Sequence, residues 1–63
     1  MSKLKNKINA VVRDVSSRYG SEPALYREEI CRKACRILEN KDVNCAADNT
    51  AHEYLIEALD EYC

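Results

Sequence analysis

Tryptophan and phenylalanine are absent from this sequence, and glycine, proline, histidine and methionine occur once each. Tyr19, Tyr26, Tyr54 and Tyr62 are therefore its only large aromatic side chains. A core built instead from Leu, Ile, Val, Ala and Cys in so short a chain supplies only about 3–5 kcal/mol. The 63 residues make a single small domain, 1–63. With Gly20 alone, no glycine-rich phosphate loop can form. No run approaches the roughly 18 apolar residues of a membrane span, so no membrane partner is expected. The start, Met1 to Lys7, is basic like a signal-peptide n-region, but no apolar stretch follows. Arg13 and Asp14 interrupt the best candidate, Ile8 to Val15. The expected location is cytoplasmic, where thiols stay reduced, which makes disulfides the weaker explanation for four cysteines.

The net charge of −1 hides a division. Residues 1–41 hold all ten Lys and Arg against five acids, a local charge of +5. Residues 42–63 hold six acids and no Lys or Arg, a local charge of −6. Such asymmetry fits a nucleic-acid surface or an acidic tail for a partner. It fits equally well two halves that attract one another, within a chain or across a dimer, and the low net charge favours that reading.

Hydrophobic periodicity divides the chain into three segments and predicts a mainly α fold. In the first, about 4–19, Leu4, Ile8, Val11, Val12, Val15 and Tyr19 recur at helical spacing, and Gly20 suits the left-handed residue that closes a helix. Four of these residues are β-branched, which leaves a strand as the alternative. The second segment, about 23–40, opens on Pro23. Tyr26, Ile30, Ala34, Ile37 and Leu38, with Ala24, Cys31 and Cys35, share one half of its wheel. Glu28, Glu29, Arg32, Lys33, Arg36 and Glu39 occupy the other half together with Leu25. Glu28–Arg32 and Glu29–Lys33 are favourably ordered i, i+4 pairs. The third segment, about 50–62, opens on Thr50-Ala51-His52-Glu53, which matches a capping box. Ala51, Tyr54, Leu55, Ala58, Leu59 and Tyr62 then form its apolar stripe, with Ile56 left outside.

Chemistry-bearing clusters are sparse. Cys31 and Cys35 lie one helical turn apart, with Cys45 and Cys63 elsewhere, and the spacing lacks the C-x-x-C knuckle of a zinc site. Cysteines that pack as small apolar residues are the better reading, so no metal and no cofactor are expected. His52 has no identifiable nucleophile or second acid–base group beside it, and no enzymatic activity is expected. Lys3, Lys5 and Lys7, with Arg32, Lys33 and Arg36, form a candidate nucleic-acid surface. Glu28, Glu29 and Glu39 offset it, and a pI near 5.7 is low for a DNA binder.

The chain length, the lysine-rich start, the run Arg18-Tyr19-Gly20-Ser21-Glu22-Pro23 and the acidic end resemble the small early open-reading-frame proteins of the exonuclease–excisionase region of lambda-like bacteriophages. The resemblance implies an early phage protein, made in the bacterial host cytoplasm, that promotes lytic development without enzymatic activity. It also implies a dimer built from helices plus one strand, with the first segment or Val43 to Ala46 as the strand. It carries no functional residues over.

The reading is thus an intertwined, mainly helical homodimer that binds a host or phage protein through an apolar helical cleft. The expected partner or dimer surface is Tyr26, Ile30, Ala34, Ile37, Leu38, Tyr54, Leu55, Leu59 and Tyr62. The alternative is a dimeric DNA-binding protein that uses the basic N-terminal half.

Overall fold

The computed structural model describes residues 2–63 and consists of three α-helices, α1 (Lys3–Ser17), α2 (Arg27–Asn40) and α3 (Asn49–Tyr62). No strand occurs among the described residues. The strand alternatives, residues 4–19 and 43–46, are both overturned. In α1 the β-branched residues Ile8, Val11, Val12 and Val15 fall on one buried face. The helix propensity they forgo is a few tenths of a kcal/mol each, less than burying each side chain returns. Ser2 caps this helix, its hydroxyl accepting from the Lys5 N–H at 3.2 Å. The helix stops two residues before the expected Tyr19. Tyr19 donates its N–H to Ser16, and Gly20 then turns the chain at φ +73°.

The second segment is not one helix. Pro23–Tyr26 forms a single 3₁₀ turn, and α2 begins at Arg27. At three residues per turn, this piece rotates Ala24, Leu25 and Tyr26 off the line of the α2 face. Tyr26 meets Tyr19 instead, with ring centroids 5.1 Å apart.

At its far end α2 closes in a Schellman motif. Val43 donates its N–H to the Leu38 carbonyl at 2.8 Å, and Asp42 donates to Glu39 at 3.1 Å. Asp42 takes the left-handed position at φ +63°. Leu38 and Val43, the pair that accompanies this motif, are both buried.

The capping box at Thr50 and Glu53 is also corrected. Helix α3 begins one residue earlier, capped by Asp48, whose Oδ1 accepts from the Thr50 N–H (2.9 Å) and the Ala51 N–H (3.3 Å). A carboxylate at this position both satisfies free donors and complements the positive end of the helix dipole.

Helix α1 is the centre of the molecule, packing along both α2 and α3, which touch each other much less. Its Ile8, Val12 and Val15 meet Ile30, Ala34 and Leu38 of α2 and Ala51, Leu55, Ala58 and Leu59 of α3 in one core. Val43 and Cys45 close that core from the connection. Among the described residues the two oppositely charged halves are joined by one ion pair, Arg27 to Asp60, at 2.6 Å.

Candidate functional site

Five of the nine residues expected to form a partner surface are inside the chain. Ile30, Ala34, Leu38, Leu55 and Leu59 are buried, because α1 lies where a cleft between the second and third helices was expected. Ile37, Tyr54 and Tyr62 are half-buried and packed against the same core. Only Tyr26 is exposed, at 47%.

Two apolar residues outside the expected surface are more accessible than most within it. Leu25 is 73% exposed and Ile56 is 38% exposed. Both stood out as apolar residues on otherwise polar helix faces, which is the signal that could have singled them out.

Leu25 and Tyr26 project from the 3₁₀ turn at the mouth of an open groove of about 330 Å³, which Glu28, Glu29 and Arg32 complete. A second groove of about 240 Å³ continues along α2, lined by Glu29, Arg32, Lys33 and Arg36. Glu29 and Arg32 border both, so the two form one surface running from an apolar end to a basic end. Arg32 lies 3.9 Å from Glu28, with both side chains largely in solvent, a contact of little energy. The expected Glu29–Lys33 pair does not form. Lys33 instead places its ammonium 5.2 Å from the Tyr19 ring centroid. The Tyr19 phenol beside it raises the Lys33 pKa above the ordinary lysine value. The two make no hydrogen bond of normal geometry. The buried Tyr19 hydroxyl has no partner, and attraction to the ring face carries the contact.

The four cysteines are all free thiols. Cys45 is buried in the core, and Cys31, Cys35 and Cys63 press against it. Burial, reinforced by Cys31 and Cys45, pushes the Cys35 thiol up to about 12. Burial also raises Cys45, against a lowering hydrogen bond from Cys35, and raises Cys63 against the pull of Arg27. Reactive cysteines show the opposite shift, because the thiolate is the nucleophile. Among the described residues, no group of three or more His, Cys, Asp or Glu side chains is arranged to hold a metal ion.

His52 is exposed in the first turn of α3. Lys3, Lys5 and Lys7 are exposed on α1, separate from the α2 grooves. No described helix is long and apolar enough to cross a membrane. No protein-family model, curated protein or solved structure matches the chain.

Proposed function

We propose that this chain is a non-enzymatic binding and regulatory module that recognises another protein through the surface headed by Leu25 and Tyr26. The observation that carries the reading is the exposure of Leu25. Among the described residues 13 apolar side chains are buried in the core, yet this leucine is 73% accessible beside a tyrosine and an open groove. Exposed leucines are common singly, but one adjoining an exposed aromatic residue and a groove has the composition of an interface anchor. The resemblance to early proteins of lambda-like phages supports placing the protein in the bacterial cytoplasm as a promoter of lytic development.

A homodimer belongs to the same proposal. Helix α1 covers most of the apolar surface that called for a second copy. Ile56, exposed on the outer face of α3, is what a second copy would cover. Sedimentation at micromolar concentration should give about twice the 7.2 kDa chain mass. A monomer at every concentration would remove the dimer and leave the Leu25 surface standing.

Capture from bacterial lysate, with and without nuclease, tests the main reading. A discrete protein band that survives nuclease supports it. Recovery that nuclease abolishes would support the basic N-terminal half as a nucleic-acid surface instead.

A further inference from the structure

We propose that the surface of the 3₁₀ turn and α2 from Leu25 to Arg36 takes an acidic protein segment, one that seats an apolar side chain at Leu25 and Tyr26 and carboxylates at Arg32, Lys33 and Arg36. This inference rests on the protein-binding reading above and adds the chemistry of the partner. Charge complementarity is the argument. Arg32, Lys33 and Arg36 line one groove with Glu29 as its only acid, and Arg36 has no ion-pair partner among the described residues. Lys33 lies 5.2 Å from the Tyr19 ring centroid and makes no ion pair among the described residues. Two arginines and a lysine spaced over little more than one helical turn match carboxylates repeated at the same spacing on a partner helix. Arginine adds the paired donors that fit a carboxylate.

The contiguity of the grooves decides between an acidic protein segment and a nucleic acid. The basic groove opens into one walled by Leu25, Tyr26, Glu28 and Glu29. A phosphate backbone gains nothing from an exposed leucine and is repelled by two glutamates. A peptide can place an apolar side chain there and keep its carboxylates at the Arg36 end. The six acids of residues 42–63 and the net charge of −1 further disfavour a long polyanion.

The probe is a fluorescently labelled helical peptide with leucine and glutamate repeating at helical spacing. Matched peptides carry glutamine or lysine in place of glutamate. Anisotropy titration of the full chain should rank the peptides Glu, then Gln, then Lys. Arg36→Glu should reverse the order of the Glu and Lys peptides, moving each by roughly tenfold. Helical circular dichroism should not change, because Arg36 is exposed, and Arg36→Gln should fall between the two. Leu25→Asp should weaken all three peptides, the Glu peptide most, because it removes the apolar contact and adds a negative charge. Equal binding of the three peptides would overturn the inference, while a loss confined to Leu25→Asp would leave the protein-binding reading intact. Failure of all three to bind at millimolar concentration would also overturn it. So would displacement of the Glu peptide by an equal concentration of single-stranded oligonucleotide, or by unlabelled copies of the chain.

Discussion

Truncating Leu38 to alanine should nearly abolish folding, whereas truncating Leu25 to alanine should scarcely affect it. Leu38 is 0% exposed and sits in the last turn of α2, where its carbonyl accepts from both Lys41 and Val43. Alanine keeps the helix propensity, so the loss isolates packing. Removing a fully buried leucine side chain costs about 2–5 kcal/mol, depending on how far the cavity collapses. A domain of this size has about 3–9 kcal/mol in total, with the lower end expected for a small core of this composition. Leu25, at 73% exposure, has little packing to lose, and its truncation should fall within about 0.5 kcal/mol of the parent. Urea unfolding followed by far-ultraviolet circular dichroism measures both. A Leu38→Ala chain within about 1 kcal/mol of the parent would refute the placement of this residue in the core. So would a Leu25→Ala chain as unstable as Leu38→Ala.

Three further outcomes are expected. Asp48→Ala should cost about 1 kcal/mol while Thr50→Ala is near neutral, in the same urea assay, and the opposite ranking would restore the capping box. Asp42→Gly should raise the urea midpoint by the equivalent of about 0.5–1 kcal/mol, because glycine adopts the left-handed φ of +63° without strain, and Asp42→Val should lower it. Stability should also fall as pH rises from about 9 toward about 12. Over that range the unfolded chain loses the Cys35 proton while the folded chain retains it. The share of the slope due to Cys35 should stay below the full 1.4 kcal/mol per pH unit, since the thiol is only partly buried. Cys35→Ala should reduce the slope, while Cys45 and Cys63, also raised by burial, keep the remainder.

Much of the fold was legible because apolar spacing reports which face of a helix is buried. The Ile8–Val15 stripe placed α1 despite its β-branched residues, and Leu55, Ala58 and Leu59 placed α3. What covers such a face is not encoded in its spacing. Leu38 and Leu55 look the same on a helical wheel whether α1 or a second copy covers them, so spacing alone does not separate core from partner surface. Boundaries were lost for a local reason. Asp48 and Thr50 are both good caps two residues apart, and periodicity cannot choose between them. The 3₁₀ turn accompanies a contact of Tyr26 with Tyr19, a pairing that becomes visible only when α1 and α2 are brought together. The candidate site was poorly legible for the same reason. Leu25 and Ile56 were recognised as apolar residues on polar faces, but their exposure became distinctive only once every neighbouring leucine and isoleucine was found packed.

The most direct test compares the parent chain with Leu25→Asp as baits in nuclease-treated bacterial lysate, after confirming equal urea midpoints. The account predicts a discrete protein captured by the parent and lost with the variant. The same protein recovered equally by both baits would contradict it.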